Sequence, residues 1–162
     1  QIMNYKSIKI KILDQGVKPV IERNFTGDCF TSSNYKVYII KHNQNFIYVG
    51  QTKQQIGKKF GQGFRAYRND IIRNNRVGGY GGYKWINKNM NEELRLYVFD
   101  LGQGKTDKET EAIEAEVVYQ IRQQFNRWPE CQNEIHFNND FEAASEIAMI
   151  ILENVKKDYN AN

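Results

Sequence analysis

The chain has little of the chemistry that most often declares itself in sequence. It holds two cysteines and two histidines, Cys29, Cys131, His42 and His136, with no Cys/His spacing suited to zinc. Two cysteines in a chain of this size read as thiols of a reducing compartment rather than a disulfide framework, which points to a cytoplasmic location. Only two prolines are present, which argues against long disordered linkers. The longest aliphatic run, Ile147 to Leu152, is far too short to span a bilayer, so no membrane partner is expected. No N-terminal stretch reads as a signal peptide, and a first residue of Gln leaves the native start open. Repeats and low-complexity blocks are absent as well.

What is present is a single domain's worth of ordinary globular sequence, 162 residues rich in Tyr and Phe, with a net charge of +4. That charge mildly favours an anionic partner. Residues 5–25 alternate apolar and polar around Gly16 and read as a β-hairpin or extended arm. Residues 36–41 and 46–51 form a second hairpin joined by His42-Asn43-Gln44-Asn45. Over residues 54–74, Ile56, Phe60, Phe64, Tyr67 and Ile71 make one apolar helical stripe. Gly57, Gly61 and Gly63 lie within it, each costing roughly 1 kcal/mol in a helix interior, so a kink or split is expected there.

A glycine- and aromatic-rich loop, Val77 to Trp85, follows, and residues 93–100 read as a third strand. Thr106 and Glu109 form a capping box for a helix with the stripe Ile113, Val117, Ile121 and Phe125, which Trp128-Pro129 ends. Asn139 or Asp140 caps a last helix with the stripe Phe141, Ala144, Ile147, Ile151 and Val155. The expectation is an α+β fold: a small three-stranded antiparallel sheet flanked by helices, with an N-terminal arm over 1–34 and an extra C-terminal helix over about 139–158.

Within the second hairpin stand Lys36-Val37-Tyr38 and Tyr48-Val49-Gly50. Folding back brings Tyr38 and Tyr48 onto one face, where they are either ordinary half-buried sheet tyrosines or a pair of phenols available for chemistry. The two tripeptides resemble the signature of the GIY-YIG nuclease family, with KVY for GIY and YVG for YIG. The resemblance covers about residues 35–137 and implies a metal-dependent endonuclease acting on DNA, with one Mg²⁺ or Mn²⁺ ion. On that basis Tyr38 and Tyr48 handle the attacking water. The family's helix arginine falls at Lys58 or Lys59, with Arg65 and Arg68 later on the same helix; Lys59 and Arg65 are the preferred cations. The family's His one turn later is absent, Tyr67 being the nearest hydrogen-bonding residue. A metal-holding carboxylate falls at Glu116, whose Ala112 four residues earlier matches the family, or at Glu114. Gln132 or Asn133 takes the place of an amide after Pro129, and His136 is a strand residue or a distant helper.

DNA contacts are expected from Lys58, Arg68, Tyr80, Tyr83 and Lys84. The departures are Lys36 in place of the first motif glycine and lysine in place of the helix arginine. Both favour the alternative of a nucleic-acid-binding module that keeps the fold without cleaving. A third reading, an interaction domain that binds no DNA, also stands.

Overall fold

A computed structural model describes residues 3–20, 24–74, 84–133, 135 and 141–160. The chain is α+β, but its antiparallel sheet has five strands rather than three, in the order β2-β1-β5-β3-β4. The strands are β1 (Asn4–Leu13), β2 (Gly16–Pro19), β3 (Lys36–His42), β4 (Asn45–Thr52) and β5 (Glu93–Asp100). The first hairpin is therefore part of the sheet. Its Ile8 and Ile10 stand opposite Leu96 and Leu94 of β5, and Ile8, Ile10 and Ile12 are all buried on one face. Alternation in β1 reveals which face is buried but not which strand lies alongside, because the period-2 pattern is the same for any partner.

Among the described residues five helices accompany the sheet: α1 (Asp28–Thr31), α2 (Ile56–Asn74), α3 (Lys84–Lys88), α4 (Asp107–Phe125) and α5 (Ala144–Asn160). Helix α2 runs unbroken through its glycines. Three glycines cost about 3 kcal/mol together, while burying the stripe side chains contributes about 1.5–3 kcal/mol apiece. Ile56, Phe60, Phe64 and Tyr67 are all buried, so packing wins. The capping box forms as expected: Glu109 N donates to Thr106 Oγ1 at 3.2 Å, and Thr106 N donates to Glu109 Oε2 at 3.0 Å. Helix α4 ends before Trp128-Pro129, because Asn126 takes the left-handed conformation at φ 60°.

Each sheet face carries its own core. On one, Ile10, Tyr38, Ile40, Leu94, Leu96 and Val98 meet Phe30, the α2 stripe, Trp85 and Ile86. On the other, Val37, Ile39, Val49 and Phe99 meet α4 and α5. The expected last-helix stripe is seen in Ala144, Ile151 and Val155, joined by Ala148 and Leu152; the cap candidates Asn139 and Asp140 lie outside the described residues. No helix among the described residues is long and apolar enough to cross a membrane.

Candidate active site

Strands β3 and β4 pair so that Tyr38 faces Gly50 and Ile40 faces Tyr48, with a register irregularity after Ile40. Tyr38 and Tyr48 are thus diagonal neighbours, their ring centroids 6.1 Å apart. Tyr38 lies across Gly50, where a β-carbon would overlap its ring and hydroxyl. A glycine on this strand lets the phenol lie across it. Phe60 of α2 meets Tyr38 edge-on at 5.5 Å. Trp85 of α3 stacks on Tyr48 at 6.4 Å and contacts Phe60 at 5.6 Å. Four rings so enclose one another, two from the hairpin and two from the helices.

The two tyrosines differ in setting. Tyr38 is buried and Tyr48 only partly so. Burial, with the neighbouring Tyr48 and Glu114, holds the Tyr38 phenol well above its ordinary pKa.

Two acids two residues apart on a helix stand about 200° apart around its axis, so they cannot serve one site together. Glu114 is the acid of the two whose charge reaches Tyr38 and which feels the Lys59 ammonium. Glu114 is buried; burial and Glu111 push its carboxyl up to about 8, while the nearby Lys59 ammonium pulls it down. Glu116 turns toward α5: its Oε1 accepts from Gln120 Nε2 at 3.2 Å, and the same amide donates to Ser145 O at 2.9 Å.

Helix continuity separates the two preferred cations. Lys59 flanks the buried stripe on the side of Glu114, half-exposed. Without a break at Gly61 or Gly63, Arg65 remains exposed on the opposite flank, beside Gly61. Lys58 and Arg68 are exposed, and Lys84 is exposed at the start of α3. Tyr80, Tyr83, His136 and the loop from 77 to 83 lie outside the described residues.

Three further residues have structural tasks. Gln132 grips the outer edge of β4: its Nε2 donates to Val49 O at 2.5 Å, and its Oε1 accepts from Val49 N at 2.7 Å. With Glu130 N and Cys131 N donating to Phe46 O and Ile47 O, this segment covers the sheet edge that carries Tyr48. Lys36 is fully buried, and its ammonium donates to the carbonyls of Ser32, Asn34 and Gln54 at 2.7, 2.8 and 3.2 Å. Burial lowers its pKa, and Asp100 partly restores it. Trp85 was read as part of the glycine-rich loop; its place against Tyr48 depends on α3, which the pattern of residues 77–85 does not announce.

Among the described residues no three His, Cys, Asp or Glu side chains gather as a metal site. A Mg²⁺-like ion commonly takes one or two carboxylates and fills its shell with water and substrate phosphate oxygens. Glu114, a single buried carboxyl whose charge is felt at Tyr38, would suit an ion that arrives with such a substrate. Comparison with protein-family models, curated proteins and solved structures finds no match for this chain.

Proposed function

We propose that this chain is a metal-dependent DNA endonuclease using GIY-YIG-type chemistry, with Tyr48, Lys59 and Glu114 as its working groups. The observation that carries this reading is the meeting of groups from four separate elements. Tyr38 and Tyr48 come from β3 and β4, while Lys59 from α2 and Glu114 from α4 lie close enough for the lysine to pull the acid's pKa down and for the acid to raise that of Tyr38. Hydrolysis of a phosphodiester needs an oriented water, a cation against the developing charge and an oxygen-rich ligand.

In this scheme the partly exposed Tyr48 hydroxyl accepts a hydrogen bond from the attacking water and passes its own proton to solvent. Lys59 offsets negative charge on the phosphoryl oxygens as the new P–O bond forms in line with the one that breaks. Tyr38, fixed by Gly50 and Phe60, holds Tyr48 in place. Glu114 would hold the ion, and Mg²⁺ or Mn²⁺ when bound would supply additional charge stabilisation and acidify the nucleophile. Ionising Glu114 against its raised pKa requires a positive charge nearby, which Lys59 and a divalent ion would jointly provide.

The test is plasmid nicking with and without Mg²⁺ or Mn²⁺, comparing wild type, Glu114→Gln, Lys59→Ala and Glu116→Gln. Activity should need the metal, vanish in Glu114→Gln, fall by roughly 10²–10³ in Lys59→Ala and survive in Glu116→Gln. If no plasmid, single strand or branched substrate is cut, the enzyme reading fails. The second reading, a binding module that does not cleave, is favoured by Lys36: the position of the first motif glycine is filled by a buried, fully engaged lysine. A binder would keep salt-dependent DNA affinity in Glu114→Gln with no metal requirement.

A further inference from the structure

Helix α2 carries two glycines, Gly57 and Gly61, that internal packing does not require. A β-carbon at Gly57 would meet Phe25 at 3.6 Å, and one at Gly61 would meet Arg65 Nη1 at 3.7 Å, both ordinary contacts. Gly61, inside the helix, nevertheless costs about 1 kcal/mol relative to alanine, and Gly57, in the first turn, costs less. They line a groove of about 400 Å³ between α2 and the β1–β2 hairpin. Its walls present the exposed side chains of Gln15, Lys18, Asn24, Gln55 and Arg65, and none of the described residues lining it is acidic. Among the described residues neither Lys18 nor Arg65 is paired with a carboxylate. The nearest acid on the hairpin, Asp14, lines the adjoining hollow with Arg68, beyond Phe64.

We propose that this groove holds the phosphate backbone of DNA and delivers the strand across α2 to the tyrosine site. The proposal rests on DNA as the substrate of that site. Two cations, three amides and the exposed helix position Gly57 match a phosphodiester chain, which in a duplex offers one negative charge per strand every ~3.4 Å of axis and needs close approach. The helix geometry supplies the route. Positions 57, 61 and 65 follow one flank of the buried stripe, and Lys59 stands about 200° from Gly57 on the other flank. The exposed Lys58 lies between them. A strand leaving the groove crosses roughly one helix diameter, ~10 Å, or about three nucleotides, to reach Lys59. The hairpin that forms the far wall lies outside the region resembling GIY-YIG proteins, so the groove belongs to this chain's own additions.

The experiment measures binding of fluorescent duplex DNA by anisotropy over a series of salt concentrations, in full-length Glu114→Gln protein that does not cut. Adding Lys18→Ala with Arg65→Ala should weaken binding and flatten the log–log salt dependence by about two, close to one per lost phosphate contact. Adding Gly61→Leu instead should leave the melting temperature unchanged or raised, since it improves helix propensity, yet weaken binding by filling the groove. Unchanged affinity and salt slope in both sets would overturn the proposal, as would a parent protein that binds no DNA at low salt or prefers RNA. Binding through the groove by wild-type protein that never cleaves DNA would sink the nuclease reading and leave the groove intact. Cleavage by wild type with groove variants that bind normally would do the reverse.

Discussion

The Tyr38 phenol lies over the backbone of Gly50, its cross-strand partner, in the volume where any other residue at position 50 would place its β-carbon. Tyr38 cannot retreat easily, because Phe60 stands edge-on at 5.5 Å and Tyr48 lies 6.1 Å away. Gly50→Ala should therefore destabilise the protein by about 1–3 kcal/mol, the usual range for overpacking a dense core. Adding Tyr38→Ala should recover part of that loss, because the smaller side chain removes the clash. Urea unfolding of the two single variants and the double variant checks this. Strictly additive losses would mean that the two residues do not compete for space.

Lys36 predicts the opposite of what the motif resemblance alone would encourage. Restoring glycine there removes a buried ammonium that three carbonyls share and leaves those carbonyls without this donor. Lys36→Gly should cost about 3–5 kcal/mol, as for breaking a buried charged network from one side. Lys36→Met, which keeps the stem but not the donors, should also be strongly destabilising. Thermal unfolding of both variants near neutral pH is the measurement; a stable Lys36→Gly protein would show that the first motif position is not structurally committed.

Much of this was legible in sequence, and the limits have physical causes. Short apolar runs set off by a polar turn placed β3 and β4, a like run placed β5, and the i, i+3, i+4 stripe placed α2 and its buried face, because those patterns are local. The five-stranded sheet was not legible, since β1 carries the same alternation whichever strand it pairs with. The choice between Glu114 and Glu116 depended on how α4 is rotated against the sheet, which its buried residues Ile113, Val117 and Val118 only bracket. Arg65 was drawn into the site by an expected break in α2 that packing energy overrides. The burial of Lys36 had no sequence signal, because a lysine with three carbonyl acceptors looks like any surface lysine until the loops around it are placed.

The two cations preferred from sequence are separable by kinetics. Lys59 lies near Glu114, whereas Arg65 lines the hairpin groove. Lys59→Ala should lower kcat by roughly 10²–10³, the range seen when one group stabilising a developing charge is removed. Arg65→Ala should act mainly on substrate affinity and its salt dependence, leaving kcat close to wild type. Single-turnover cleavage at saturating DNA separates the two. A larger kcat loss for Arg65→Ala than for Lys59→Ala would return Arg65 to the reaction centre.

Glu114 ties stability, pH and metal together. Its folded-state pKa of about 8 lies above the ordinary carboxyl value of 4.5. Between those two values the folded protein binds more protons at this group than the unfolded chain, so stability falls as pH rises through the window and levels off above it. The loss is on the order of a few kcal/mol. Glu114→Gln keeps a neutral side chain at every pH and should flatten the decline, becoming more stable than wild type near pH 8. If Glu114 holds the ion, millimolar Mg²⁺ or Mn²⁺ should raise the wild-type melting temperature most at pH 7.5–8.5, where the metal competes with the last fraction of protons. That metal-dependent shift should disappear in Glu114→Gln and persist in Glu116→Gln, whose native carboxylate is engaged with Gln120. Thermal melts of the three proteins from pH 5 to 9, with metal and with chelator, decide the matter. A shift that follows Glu116 instead would move the ion to the α5 side of the helix.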